Sequence, residues 1–133
     1  NAAEQTPQQI KPDSNAPNSF FAWSWSNDQQ KLAGTFWNEA QNSNNIAIFD
    51  LANRKFEKLT DFGSRPFWLA DNRRLIFLNR DRLYLFDSKT KRMKEIFSAA
   101  PYLLQSFTLS KDNRTIYYTL QKNESDIWVA KSQ

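Results

Sequence analysis

Residues 68–75 read Trp68-Leu69-Ala70-Asp71-Asn72-Arg73-Arg74-Leu75, and their outline occurs twice more. It appears first as Trp25-Ser26-Asn27-Asp28-Gln29-Gln30-Lys31-Leu32 and last as Leu109-Ser110-Lys111-Asp112-Asn113-Arg114-Thr115-Ile116. In each copy a large apolar residue stands three positions before the aspartate, and an apolar run opens four positions after it. The aspartates are 43 and 41 residues apart. A second run then aligns across the copies, at 46–49, 83–86 and 127–130. A fixed period of this length marks a repeated supersecondary unit. Helical repeats would carry an apolar stripe every 3.6 residues, and no stretch shows one. Period two appears instead, with Phe21, Trp23 and Trp25 expected on one strand face and Ala22, Ser24 and Ser26 on the other.

Four short strands in roughly 40–45 residues is the pattern of a propeller blade. The fold class is therefore all-β, built of antiparallel four-stranded blades in about three repeats. Blade boundaries are expected near 20–61, 62–100 and 101–133. The first blade has strands at 20–26, 31–37, 46–50 and 55–60, and the second at 66–69, 74–79, 83–87 and 92–97. In the third, strands are expected near 105–109, 115–120 and 126–131, with no outer strand to follow. Closed rings use about 4–8 blades, so three frames are too few. The chain is expected to be part of a larger protein or of an assembly. Residues 1–19, with Pro7, Pro12 and Pro17 and only Ile10 as a large apolar side chain, have linker composition, although Gln8 to Lys11 would also serve as an outer strand.

Composition narrows the chemistry. The 133 residues contain no histidine and no cysteine, which removes the commonest general base, thiolate and imidazole metal sites, disulfides, and the Ser-His-Asp and Cys-His arrangements. The two glycines, Gly34 and Gly63, cannot build a phosphate-cradling loop or a nucleophile elbow. No catalytic residue and no cofactor is assigned, and the chain is read as a non-enzyme. Asparagine is expected to take the turn positions that glycine usually fills. Eleven Phe, five Trp and four Tyr supply side chains for packing between sheets, and Trp23, Trp25, Trp68 and Trp128 are expected there.

The repeated aspartates Asp28, Asp71 and Asp112 sit between two strands, where a carboxylate accepts backbone N–H groups and shapes a turn; Asp50 and Asp87 close third strands in the same way. Calcium would need six or more oxygens in a clustered loop pattern that is missing, so no metal site is assigned. Residues 71–94 hold eight Lys or Arg against three Asp, a surplus of five that exceeds the net charge of +4. Blade topology divides this charge, with Arg73, Arg74, Lys89, Lys91 and Arg92 on one side of the array and Arg80 and Arg82 on the other. Solvated hairpin ends explain it better than a nucleic-acid surface. With no long apolar run, direct membrane insertion is not expected either.

The residues Trp25-Ser26-Asn27-Asp28, 46–50 and Leu59-Thr60, then Trp68 to Asp71 and Leu83-Tyr84-Leu85-Phe86-Asp87, then Ser110-Lys111-Asp112 and Asp126-Ile127-Trp128-Val129, resemble TolB-like, WD-repeat-like propeller repeats. Such blades carry a Trp-Ser-Pro-Asp-Gly inner hairpin. Here proline is absent before each aspartate, and Gln29, Asn72 and Asn113 replace the glycine. The resemblance implies one of several settings: a periplasmic interaction protein, a carboxy-terminal module of a membrane-anchored bacterial regulator or kinase, or the substrate-gating propeller of a serine oligopeptidase. The first reading is a non-catalytic interaction or sensing module of a larger bacterial protein, periplasmic or extracytoplasmic, with the cytoplasm as the alternative. The gating propeller is the second, and a chain that completes its ring by self-association through open blade edges is the third. A protein or peptide partner is expected on the side where Arg65, Phe67, Arg80 and Arg82 meet the polar 38–45 loop. Trp37 and Phe62 are the aromatics expected to be exposed, and Trp37 is counted with the partner-binding residues.

Overall fold

A computed structural model describes residues 19–122 and 127–132, the last six by backbone alone. The amino-terminal stretch read as a linker, Trp128 as a packed side chain and Asp126 in the family pattern lie outside the described side chains. Three antiparallel sheets follow one another in chain order. The first joins β1 (Phe20–Trp25), β2 (Lys31–Asn38), β3 (Ser43–Asp50) and β4 (Lys55–Lys58). The second joins β5 (Ser64–Trp68), β6 (Arg74–Asn79), β7 (Arg82–Asp87) and β8 (Met93–Ser98). The third has three described strands, β9 (Leu103–Leu109), β10 (Ile116–Gln121) and β11 (Ile127–Ser132). Each sheet is a meander in which neighbours in sequence are neighbours in space, the arrangement that short hairpin connections impose.

Alternation along the central strands gives each sheet two faces, and the core lies between sheets. Ala33, Ile46 and Ile48 of blade 1 pack against Trp68, Leu75, Phe77 and Phe86 of blade 2. From the other face of blade 2, Ile76, Leu78 and Leu83 pack on Leu104 and Phe107 of blade 3, with Phe67, Ile116, Tyr118 and Leu120 at the margin. Phe77 is wholly buried, its ring stacked on Tyr84 at 5.4 Å and edge-on to Phe62 at 5.8 Å. Aromatic pairs of this geometry add about 0.5–1.5 kcal/mol beyond their burial.

Three expectations are corrected. A β-bulge at Ala22/Ser24 interrupts the alternation of β1, so Trp25 falls opposite Leu32, on the face away from blade 2, while Ser24 pairs with Ala33 on the face toward it. Trp23 and Trp25 are consequently 43% and 55% exposed rather than packed between sheets. The 38–45 loop is mostly strand, because the β2–β3 ladder continues through Phe36↔Asn45, Trp37↔Asn44 and Asn38↔Ser43 and leaves a turn at residues 39–42. Backbone pairing there overrides a polar composition, and Asn45 is fully buried. Phe62, expected to be exposed, is half-buried because Phe77 and Tyr84 hold its ring on two sides.

Candidate interaction face

The repeated aspartates shape their turns. Asp28 Oδ1 accepts the Ser26 hydroxyl at 2.5 Å and the Gln30 N–H at 3.1 Å. Asp71 Oδ1 accepts the N–H groups of Arg73 and Arg74 at 3.0 and 2.9 Å, and Asp112 Oδ1 accepts the Ser110 hydroxyl at 2.7 Å and the Arg114 N–H at 3.1 Å. Asp50 accepts from Ala52 and Asn53, and Asp87 from Lys89 and Thr90. Bonds to the ionised form hold several of these carboxyls below their ordinary value. The hydroxyl of Ser26 does so for Asp28, and that of Ser110 for Asp112. For Asp71, burial works in the opposite direction but is outweighed by the Arg74 and Arg73 donors. Asp87 lies well below the carboxylate range, chiefly through Arg73, whose Nη2 is 2.7 Å from Oδ2. Among the described residues no three acidic side chains converge on a point that could hold a metal ion.

The residue after each repeated aspartate takes the left-handed conformation, with φ of 59° at Gln29, 57° at Asn72 and 59° at Asn113. The two asparagines also reach across a seam. Asn72 Oδ1 accepts the Asp28 N–H at 2.8 Å, and Asn113 Oδ1 accepts the Ala70 N–H at 2.6 Å, so each side chain bonds to the inner hairpin of the preceding blade. Glycine would meet the backbone requirement and could not make this bond. Left-handed positions also fall to Arg54, Arg65, Arg80 and Lys91, which composition alone does not indicate.

On the opposite side of the array, the turn at the start of β3, the entry to β5 and the β6–β7 hairpin enclose a cleft of about 500 Å³ between blades 1 and 2. Ser43, Asn44, Ser64, Asn79, Arg80, Asp81 and Arg82 line it, over Phe62 and Tyr84. Arg80 and Arg82 thus do meet the first-blade turn. Arg82 is held by Glu95 at 3.1 Å and Asp81 at 3.7 Å. The exposed Arg80 guanidinium has no ion pair or hydrogen bond among the described residues, and the side chains of Asn44, Ser64 and Asn79 likewise have no hydrogen bond there.

Arg65 does not line the cleft. It sits at the β5 irregularity between Ser64 and Phe67, with its guanidinium carbon 5.4 Å from the centre of the Trp23 ring and Nη1 donating to the Gln105 carbonyl at 2.5 Å. One side chain thereby ties blade 2 to both neighbours. Phe67 also departs from the expected face: its ring meets Phe107 at 5.2 Å in the seam between blades 2 and 3. Trp37 is 46% exposed near the end of β2 and is not among the residues that line the cleft. Ser43 and Asn44 belong to the 38–45 segment expected on this side, whereas Ser64, Asn79 and Tyr84 were not indicated by the sequence. Their one signal is position, at the ends of strands that the repeat frame places on the same side.

The basic residues on the far side are largely neutralised. Arg73 pairs with Asp87, Arg74 with Asp71 and Lys91 with Glu57.

Successive four-stranded meanders stacked face to face define a segment of a β-propeller. The fold is shared with several solved propellers, TolB structures among them. It is similar to the TolB structure from Agrobacterium tumefaciens, with a TM-score of 0.74 at 13% identity over 86% of this chain and 46% of that one. The propeller domain of the trilobed protease from Pyrococcus furiosus, described as having an open velcro topology, matches with a TM-score of 0.58 at 16% identity over 83% of this chain and 41% of that one. An oligogalacturonate lyase in complex with manganese matches with a TM-score of 0.65 at 18% identity, over 81% and 30% respectively. The chain spans less than half the length of each of these structures. No family model and no curated protein matches the sequence. At these identities the likeness establishes the fold, on which interaction proteins and enzymes both occur.

Proposed function

We propose that this chain is a non-catalytic protein-interaction module, a propeller segment of a larger bacterial envelope or regulatory protein, working outside the cytoplasm and binding a peptide segment of a partner in the cleft between blades 1 and 2. The observation that carries this reading is the cleft itself. It offers one uncompensated guanidinium, Arg80, beside the unbonded amides of Asn44 and Asn79 and the hydroxyl of Ser64. Backbone carbonyls and carboxylates are the groups such donors recognise. A structural role accounts for the repeated aspartates: Asp28, Asp71, Asp87 and Asp112 are engaged by their own turns, where donors to the ionised form hold them below the ordinary carboxylate value. The extracytoplasmic setting rests on the resemblance of the repeats to TolB-like blades.

The test is selection of displayed random peptides on the immobilised 133-residue chain, followed by titration of the winners against an Arg80→Ser, Asn79→Ala double variant. Enriched peptides should bind the variant at least about tenfold more weakly, the loss of roughly one charge-assisted hydrogen bond. Failure to enrich any peptide, or equal binding to the variant, would remove the cleft from the function. The gating propeller of a serine oligopeptidase is the second reading, supported by the likeness to the trilobed protease propeller. A hydrolase domain with a nucleophile elbow in the flanking gene sequence would favour it.

A further inference from the structure

We infer that the segment bound between blades 1 and 2 presents a single carboxylate to Arg80, with the amides of Asn44 and Asn79 and the hydroxyl of Ser64 as neutral donors around it. This rests on the reading of the cleft as a peptide site and adds to it the charge and chemical class of the group recognised.

The first observation is strain at Arg80. Arg80 and Asp81 form the two-residue turn of the β6–β7 hairpin, closed by the Asn79↔Arg82 pair, and Arg80 holds φ at 58°. Glycine, asparagine or aspartate usually fills such a position, because an ordinary side chain is strained in the left-handed region. At Arg65, Asn72, Lys91 and Asn113 the same strain accompanies a bond to another blade. The exposed Arg80 side chain makes no ion pair and no hydrogen bond among the described residues. Arg54 is strained and unbonded as well, but it is not among the residues that line the cleft, so strain alone does not mark a site. The surroundings of Arg80 do.

Three neutral donors stand there without partners. Ser64 opens β5 and pairs with Leu78, the residue before Asn79, so these two side chains come from neighbouring strand ends, and Asn44 reaches the same cleft from β3. No acid of the chain balances Arg80. Asp81 lines the cleft too, but it lies 3.7 Å from Arg82 Nε, and Arg82 is also held by Glu95 at 3.1 Å. One free cation beside a fixed carboxylate calls for a ligand of charge −1. A phosphate, at about −1.5 to −2, would meet up to about twice the repulsion from Asp81. A carboxylate accepts through two oxygens with about four lone-pair sites, which suits a guanidinium fork and further neutral donors. The floor is apolar, with the Phe62 and Tyr84 rings held by Phe77, so an ion above it sheds water and its hydrogen bonds strengthen.

An Asp or Glu side chain and a chain terminus both supply this group, and the experiment separates them. The probes are Gly-Ala-Asp-Ala-Gly blocked at both ends, its Asn and phosphoserine counterparts, and the Asn peptide with a free carboxy terminus. Each is titrated at low salt, where exposed charges are least screened, into the isotope-labelled 133-residue chain. Side-chain NMR signals of Arg80, Asn44 and Asn79 report the site. The blocked Asp peptide or the free-terminus peptide should shift them with a Kd of about 1–10 mM, at least about tenfold tighter than the blocked Asn peptide, as one charge-assisted bond implies. Whichever of the two binds identifies the source. Arg80→Gly should fold with an undiminished melting temperature and lose this preference, and Arg80→Lys should keep only part of it, having the charge without the fork. Arg54→Gly, with one charge fewer in a turn outside the cleft, should bind as the parent does. Equal shifts with the blocked Asp, free-terminus and blocked Asn peptides would overturn the carboxylate and leave the peptide site standing. Tighter binding of the phosphoserine peptide, or an equal loss in Arg54→Gly, would overturn the assignment to one carboxylate at Arg80. No shift of these signals up to about 20 mM of any probe would overturn it together with the peptide site.

Discussion

Replacing Asn72 separates the two tasks that its side chain performs. Asn72 holds φ at 57° and accepts the Asp28 N–H at 2.8 Å across the seam between blades 1 and 2. A hydrogen bond of this kind contributes about 0.5–1.5 kcal/mol net, and the lower half applies because the site is exposed and water can replace the acceptor. Left-handed backbone adds about 1–2 kcal/mol of strain for an ordinary L-residue, less for asparagine and none for glycine. Asn72→Ala loses the bond and takes on the strain, so it should destabilise the fold by about 1.5–2.5 kcal/mol, a fall of roughly 5–9 °C in melting temperature for a domain of this size. Asn72→Gly loses the bond, relaxes the backbone and loosens the unfolded chain, for a net loss of about 0.5–1 kcal/mol. Arg54→Gly is the control. Arg54 has φ 57° in the exposed turn between β3 and β4, and no hydrogen bond or ion pair of its side chain is found among the described residues, so glycine should raise stability by about 0.5 kcal/mol or leave it level. Urea unfolding followed by tryptophan fluorescence gives all three values at low micromolar concentration. If Asn72→Gly were as stabilising as Arg54→Gly, the seam bond would contribute nothing. If Asn72→Ala matched Asn72→Gly, the assigned strain would be absent.

Three further outcomes are expected. Gly63→Ala should destabilise by about 2–4 kcal/mol, since Gly63 has φ +103° and an added Cβ would lie 2.6 Å from Phe77 Cδ2 in the middle of the first core; urea midpoints within about 0.5 kcal/mol of the parent would refute this. Arg65→Ala should remove about 1–2 kcal/mol by losing both the Trp23 ring contact and the Gln105 carbonyl, with Arg65→Lys intermediate; equal effects of the two would show that the cation over the ring has no value. Stability should be flat from about pH 5 to pH 8 and fall below about pH 4, because the turn carboxyls are depressed in the fold: their contribution is present above the unfolded value of 3.8 and is lost as pH drops through the folded values. Asp87→Asn should lower the melting temperature at pH 7 and make the acid loss shallower, and a thermal scan in parallel with the parent reads both.

The strand order and frame were legible because the aspartate turn repeats and the second strands of blades 1 and 2 are buried on both faces, as at Leu75 to Leu78. What was not legible depends on single residues leaving the pattern. One extra residue at the Ala22/Ser24 bulge moves Trp25 to the opposite face from the one that alternation predicts, and no composition signal marks it. Polar residues 43–45 read as loop because propensity cannot register a ladder that continues through them. Topology placed Arg80 and Arg82 on the side where the cleft lies. It could not show that Arg82 is held by Glu95 while Arg80 is unpaired, since β8 supplies that carboxylate from outside the hairpin. Arg65 and Phe67 were placed on the face by position, yet their side chains turn to the seams, where a carbonyl and a ring await them.

The scarcity of glycine has a physical reading that ties the turns to the seams. Four of the non-glycine residues at positive φ, Arg65, Asn72, Lys91 and Asn113, span from one blade to another. Glycine at these positions would remove strain of about 1–2 kcal/mol at most and would delete these polar ties, leaving apolar contact and, between blades 1 and 2, the Ser24 hydroxyl bonded to Pro66 and Trp68. Apolar contact is non-directional and permits sliding of one sheet on another. Hydrogen bonds at fixed frame positions permit one register only, and they lie on the hairpin side, while Arg65 fixes the loop side. The blades are thus pinned at opposite ends of the same seams. The cleft between blades 1 and 2 opens beside the Arg65 end, so the geometry of its donors is set by the strained residue next to it. Relaxing Arg65 to glycine should accordingly loosen the cleft even if it leaves the melting temperature unchanged, which is the signature of strain retained for position rather than for stability.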